Sequence, residues 1–351
     1  MSSDLREHPV TFFAWPLFEY ADRERFEIFC YSFNTGKADR VQQLVASKVD
    51  TFRLNPYIGD RDAAQMIADD DLDILFELGG STHMNKLEVM AWKPAPLTAS
   101  WLGYPHSSGL NTIDYLLVDP FLNPPDPALL IEKPLVMPRT WIAMGEMAFP
   151  DRHKIEQIAP VGRNGFVTFG TANNPYKYNA AMLRTWAQVM IQVPNSRFLF
   201  VRPEGGSEIF MNNIRARFEA EGVAGKRIEF RAVRGAHMQH YNDIDIALDT
   251  FPQTGGTTTC EAGWMGVPTV TLAGEALFER LSYSILQNVG LGDLCTTTRE
   301  AYIDTAVALA ADKNRLQALR NELRGQFKMS PLGQTRQFSQ DFYDLVATTV
   351  R

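Results

Sequence analysis

The sequence predicts an α/β protein built from two Rossmann-like halves, and three observations predict it. Short apolar runs rich in β-branched and aromatic residues alternate with stretches of helical periodicity along most of the chain. That spacing argues for parallel sheets covered on both faces. The alternation is interrupted once, where Pro124, Pro125, Pro127, Pro134, Pro138, Pro150 and Pro160 exclude long helices. Finally, 351 residues with 45% hydrophobic and 21% charged side chains are enough for two domains with large cores. The expected organisation is a first lobe over 1–122, a proline-rich connector over 123–162, a second lobe over 163–330 and a terminal helical segment over 331–351.

In the first half, Met1–Asp4 reads as the loop after a strand, whereas an α/β domain normally opens on the strand itself. A strand is expected at Phe26–Phe33, a helix at Ala38–Lys48 and a strand at Thr51–Leu54. A helix over Arg61–Asp69 and a buried strand over Leu72–Leu78 follow, the strand running into Gly79-Gly80. Next come a helix over His83–Trp92, closed by Pro94 and Pro96, and strands at Leu97–Gly103 and Tyr115–Val118. The second half opens with a strand at Gly165–Gly170 and an amphipathic helix at Tyr178–Gln192, with Met182, Trp186, Val189 and Met190 facing inward. Strands at Phe198–Val201 and Ile228–Phe230 flank a helix at Glu208–Ala220, and a short helix is expected at His237–Asn242. Helices over Leu277–Val289, Arg299–Ala311, Lys313–Phe327 and Ser339–Val350 close the chain.

The organising stretch is DIDIALDTFPQTGGTTTCEAGWMGVPTVTL, Asp243–Leu272. An apolar run ends at Asp249, a turn at Thr254-Gly255-Gly256 follows, and Thr257, Thr258 and Thr259 lead into a short helix over Glu261–Gly266. A second strand resumes at Thr269. Free amides and the positive dipole end of such a helix suit a phosphate. A capped helix in an ordinary α/β domain fits the same residues. Lys177, in the strand-to-helix loop Asn173-Asn174-Pro175-Tyr176-Lys177, is placed to act as a point charge on a phosphate.

The run ALDTFPQTGGTTTCEAGWMGVPTVTLAGE resembles the signature of the O-GlcNAc transferase family, glycosyltransferase family 41, in which a similar (N/T)-G-x-T-T-x-x-(D/E) stretch holds a sugar nucleotide. FGTANNPYKY, PNSRFLFVRPE and WLGYPHSSGLNTIDYLLVD also have counterparts there in the same order. The resemblance implies the two-lobed GT-B architecture, with a cleft at the carboxyl ends of the strands and a final helix that returns to the first lobe. It implies a bacterial-type catalytic region, with no room for the long insert of the mammalian type. In the family a strand precedes S-x-D-x-x-x-H-P, and tetratricopeptide repeats lie further upstream. Residues before Met1 are therefore expected, although no repeat of about 34 residues is visible in this sequence.

The resemblance also implies roles for residues. Lys177 and Asn174 would sit at the donor, with Lys177 on its diphosphate, and Gly256, Thr257, Thr258 and Thr259 would share that task. Arg234, His237 and His240 would lie near the nucleobase and phosphates, and Glu261 would hold the ribose hydroxyls. His240 stands where the mammalian type has arginine. His8, in REHPVTFF, would contact substrate and is the candidate base, while Phe12 replaces a second family histidine. Asp73, Glu77 and Asp114 are further candidates to assist it. The loops carrying Gly80, Thr82, Gly103, Tyr104 and Pro105 would line the sugar pocket, although turn chemistry alone also accounts for their glycines.

The function implied is an inverting transfer of GlcNAc from UDP-GlcNAc to Ser or Thr of a protein acceptor. Three alternatives stand beside it: a CMP-activated nonulosonic acid donor with flagellin as acceptor, a non-catalytic nucleotide-sugar-binding module, and a sugar-nucleotide epimerase. Several partners are not expected. A net charge of −7 and the lack of a basic run argue against a nucleic-acid surface. No apolar stretch approaches the ~20 residues of a membrane span. Cys30, Cys260 and Cys295 are far apart, which suits a reducing cytoplasm. The six histidines show no metal-site spacing, so no metal cofactor is expected.

Overall fold

Parallel strand pairing is the framework of both units into which the chain divides, Met1–Ala148 with Pro331–Arg351 and Phe149–Ser330. A computed structural model describes all of residues 1–351.

In the first unit, helix α1 (Pro9–Glu19) precedes strand β1 (Phe29–Ser32), helix α2 (Arg40–Ala46), strand β2 (Thr51–Leu54) and helix α3 (Asp60–Ala68). Strands β3 (Ile74–Glu77), β4 (Leu97–Ser100), β5 (Tyr115–Val118) and β6 (Lys133–Val136) follow. The order β3-β4-β5-β6 is a parallel sheet, and β1 and β2 pair separately, also in parallel. The main chain of Met1 and Ser2 joins the two. Leu78 N donates to Met1 O (3.0 Å), Ser2 N to Tyr31 O (2.9 Å) and the α-amine to Phe76 O (2.5 Å). That amine is buried, and desolvation lowers its pKa.

The second unit contains α4 (Pro160–Asn164), β7 (Thr168–Thr171), α5 (Ala180–Gln192), β8 (Arg197–Val201), α6 (Glu208–Ala220) and β9 (Ile228–Arg231). It continues with β10 (Ile246–Leu248), α7 (Thr257–Trp264), β11 (Thr269–Leu272), α8 (Leu281–Val289), β12 (Cys295–Thr296), α9 (Arg299–Ala311) and α10 (Lys313–Met329). Its sheet runs β9-β8-β7-β10-β11-β12, all parallel. Numbered within the unit, this is the Rossmann order 3-2-1-4-5-6. Trp186 of α5 stacks on Phe198 of β8 with ring centroids 5.0 Å apart, and Phe200 stacks on Phe230 of β9 at 5.3 Å. The inward face expected for α5 is the buried one. Arg320 of α10 is 2% exposed and donates to the carbonyls of Tyr241 (3.4 Å), Ile244 (2.5 Å) and Met265 (3.1 Å). Burial brings its pKa down to about 10. The last helix, α11 (Thr335–Thr349), belongs to the first unit, where Tyr343 Oη donates to Leu17 O (2.7 Å).

The structure departs from the sequence expectations at definable places. Helix α1 was not anticipated; His8 caps it, Pro9 starts it and Pro16 lies inside it. Of the helix expected at His83–Trp92, only Leu87–Trp92 winds, as a 3₁₀ helix; Met84, with a left-handed φ of 63°, interrupts its start, and Lys93, at 46°, ends it. Strand β6 lies inside the stretch expected to be a connector; it sits at the sheet edge, where Pro134 is tolerated. Helix α7 starts at Thr257, four residues before the expected Glu261.

Helices α7 and α10 meet where Gly263 faces Phe327, and a Cβ at 263 would collide with that ring. Gly263→Ala should therefore destabilise the protein by about 1–3 kcal/mol, the usual cost of overpacking. The loss is read as a lowered urea midpoint; an unchanged midpoint would show that this contact yields freely.

Candidate functional site

Strands β7 and β10 are parallel neighbours, yet the chain leaves them in opposite directions, toward β8 and toward β11. Ligands of open α/β sheets bind outside the strand ends at such a switch point. The loop after β7 carries Asn173, Asn174 and Lys177, and the loop after β10 carries Asp249, the Gly255-Gly256 turn and the start of α7.

Lys177 Nζ donates to Thr254 O (2.8 Å) and to Asn173 Oδ1 (3.1 Å). The same Asn173 Oδ1 accepts from Thr258 Oγ1 at 3.1 Å, so the ammonium and the first turn of α7 converge on one atom. Burial lowers the Lys177 pKa; the Asp249 carboxylate opposes that shift and the Arg202 guanidinium adds to it. Gly255 has no substitute here, since a Cβ would approach Thr259 Oγ1 at 2.5 Å, Thr258 Oγ1 at 2.7 Å and Asp249 Oδ1 at 3.0 Å. Gly256 is the N-cap of α7 and supplies no side-chain cap, which suits the helix start to an incoming anion.

Not every residue named from the sequence points the same way. Asn174 is exposed and accepts from Tyr176 N (3.1 Å) as a local cap; its buried neighbour Asn173 makes the link to Lys177. Thr257 and Thr258 are half-buried, whereas Thr259 turns into the core, 2.6 Å from Ser282 Oγ. Arg234 is exposed; against desolvation, hydrogen bonds from the Glu204 backbone and from Arg202 hold the Glu204 carboxyl below its usual range, and the Arg234 charge adds to them. His237 and His240 lie on one 3₁₀ helix, His237–Asp243, but only His237 reaches Glu261. Glu261 Oε1 is 2.9 Å from His237 Nε2, and Glu261 Oε2 accepts from Tyr241 Oη at 3.1 Å. The hydrogen bond to Glu261 raises the His237 pKa, against desolvation. Both carboxylate oxygens thus already have a protein partner, and each keeps a second lone pair for a ligand hydroxyl.

In the first unit, His8 Nδ1 accepts from Val10 N (3.3 Å) as the cap of α1. In the neutral ring that leaves the proton on Nε2. Burial lowers the His8 pKa, Asp4 raises it and Arg6 lowers it. Glu77 is buried and accepts from Gly79 N (3.0 Å), Gly80 N (2.5 Å) and Ser100 Oγ. Gly80, with φ +53°, abuts Tyr104, and Gly103 abuts Leu78 O, so close packing requires both glycines. Thr82 Oγ1 donates to Gly79 O (2.6 Å), and Pro105 is half-buried in the following loop. Asp73 is exposed, and Asp114 is engaged by Lys93 Nζ (2.8 Å) and Thr98 N (2.9 Å). The sequence reading missed Asn173, Asp249, Tyr241 and Arg202. Asn173, Asp249 and Arg202 follow strands that the sequence shows and Tyr241 lies in the short helix it shows, but their partners were not visible.

The model of "Glycosyl transferase family 41" matches residues 1–158 and 162–342. The chain belongs to glycosyltransferase family 41. Among family 41 relatives, SPINDLY of Petunia hybrida, a probable UDP-N-acetylglucosamine–peptide N-acetylglucosaminyltransferase, is 34% identical over 348 residues, 97% of this chain and 37% of its own length. The chain thus spans little more than a third of the curated relatives it matches. A variant of the O-GlcNAc transferase of Thermobaculum terrenum superposes with a TM-score of 0.92 at 31% identity, over 100% of this chain and 66% of that one. A glycosyltransferase of Rickettsia africae shares the fold alone, with a TM-score of 0.58 at 10% identity, over 95% of this chain and 94% of that one. The fold of this family 41 chain is therefore of the GT-B class.

The His237–Glu261 pair carries a pH signature. A raised histidine pKa contributes stability that is complete below about pH 6.5, the unfolded value, and is lost as pH rises through the folded value. Glu261→Gln should therefore lower the melting temperature more at about pH 6 than at about pH 9. Equal losses at both would show that the contact is not ionic.

Proposed function

We propose that the protein is an inverting glycosyltransferase that moves a sugar from a nucleoside diphosphate donor, GlcNAc from UDP-GlcNAc, onto a Ser or Thr hydroxyl of a protein acceptor. The observation that carries this reading is the convergence of the Lys177 ammonium and the first turn of α7 on Asn173 at the switch point of the sheet. The activities for which the relatives are named support the donor and the acceptor class.

In one displacement, the acceptor oxygen bonds to the anomeric carbon while the bond from that carbon to the phosphate oxygen breaks, and the acceptor hydroxyl's proton passes to the released diphosphate or to solvent. The charge that grows on the departing diphosphate is met by Lys177, by the amides at the start of α7 and by the Thr257 hydroxyl. Glu261, held by His237 and Tyr241, offers its remaining lone pairs to ribose hydroxyls as charge-assisted hydrogen bonds.

The test is release of free nucleotide, UDP from UDP-GlcNAc and CMP from a CMP-linked nonulosonic acid in parallel, with the sugar located on Ser/Thr peptides by mass spectrometry. UDP release with peptide modification is expected. Lys177→Met, which keeps the stem and removes the charge, should lower kcat by about 10²–10³. Binding of no nucleotide sugar by calorimetry would overturn the reading, and CMP release alone would move it to the other donor.

A further inference from the structure

Asp249 directly follows β10, is 1% exposed, and has no part in the chemistry above. Its Oδ1 accepts from Thr250 N (2.9 Å), Gly255 N (2.8 Å) and Asn173 Nδ2 (3.3 Å), and its Oδ2 accepts from Thr271 Oγ1 of β11 (2.8 Å). An ionised carboxylate only accepts. Asn173 must therefore turn its NH₂ toward Asp249 and its carbonyl oxygen the other way. That oxygen is the atom on which Lys177 Nζ and Thr258 Oγ1 converge. If the Asn173 amide were reversed, its NH₂ would face an ammonium, donor against donor.

We propose that Asp249 is a positioning residue, which acts through the amide of Asn173 to aim the Lys177 ammonium at the donor's diphosphate, with the Thr258 hydroxyl helping to hold that amide in place. The target named here rests on the function proposed above; the orienting step does not. The same carboxylate is the counter-charge of a buried amine. The charged groups that act on Lys177 are Asp249, at the end of β10, and Arg202, after β8. Those around Asp249 are Lys177, the Tyr302 phenol of α9, whose Oη donates to Asp249 O (3.1 Å), and the Cys295 thiol of β12. Burial holds the phenol and the thiol in their neutral forms. With Asp249 neutralised, only Arg202 remains to act on the ammonium, and it disfavours the charged form.

The experiment compares the wild-type chain, Asp249→Asn, Asn173→Ala, Lys177→Met and the Asp249→Asn, Lys177→Met double variant. The pH dependence of Lys177 acetylation by acetic anhydride, read by mass spectrometry, needs no nucleotide. It should show Lys177 deprotonating at lower pH in Asp249→Asn than in the wild type. UDP binding by calorimetry should weaken roughly tenfold in Asp249→Asn and in Asn173→Ala, the order expected for a lost hydrogen bond to a charged group. In the Lys177→Met background, Asp249→Asn should add less than it costs alone, because the two act through one network. An unshifted Lys177 titration in a folded Asp249→Asn overturns the proposal, and so does full additivity. If Asp249→Asn does not fold, Asn173→Ala decides, and unchanged UDP affinity there overturns it. A wild-type chain that binds no UDP refutes the proposed function, while the acetylation profile still decides the role of Asp249.

Discussion

One buried carboxylate holds the second unit's strand ends in register with one another. Asp249 is in contact with the loop after β7, the glycine turn after β10 and β11, through the four donors it accepts from. Removing a charge from water is costly, and desolvation raises the Asp249 pKa; the surrounding donors and Lys177 work against that. The arrangement continues behind it. Tyr302 Oη donates to Asp249 O and accepts from Trp186 Nε1 at 3.1 Å, so α5 and α9 are tied to the same strand end. The need for Gly255 follows from this crowding, because the turn must pass within van der Waals reach of the carboxylate it hydrogen-bonds.

Much of this was legible in the chain and part was not, for physical reasons. Most strand and helix positions in the second unit follow from local periodicity, and Thr269–Leu272 and Glu208–Ala220 lie where the pattern puts them, whereas the short α4 and β12 were not anticipated. Short apolar strands between helices leave few alternatives to a parallel sheet. The pair Asn173-Asn174 was not resolvable, because either asparagine fits a loop. Which one turns inward depends on β7 ending at Thr171 and on a carboxylate 76 residues away. Helix α1 was hidden by Pro16, and β6 by Pro134, since both residues read locally as breakers. Glu261 was visible as an acid one turn into a helix, but its partners His237 and Tyr241 come from a 3₁₀ segment 24 and 20 residues earlier.

The two units differ in how their candidate residues are used. In the second, polar side chains from separate elements converge on shared atoms, which packing alone does not require. In the first, the glycines serve close contact between loops, Glu77 holds the Gly79-Gly80 turn, and His8 spends one lone pair on its own helix. Local structure accounts for most of that chemistry, so the weight of the functional reading rests on the second unit.

Arg320 carries a consequence of its own. A planar cation with several fixed donors reaches three main-chain oxygens, from the segment before β10 and the turn after α7; a lysine in its place would act as a point charge without that fork. An apolar side chain there would take this donor from the Ile244 and Met265 oxygens, while Tyr241 O would keep the Ile244 N–H. Position 320 is therefore a keystone between two stretches of main chain, the one entering β10 and the one leaving α7, and exchanging the guanidinium would loosen both at once.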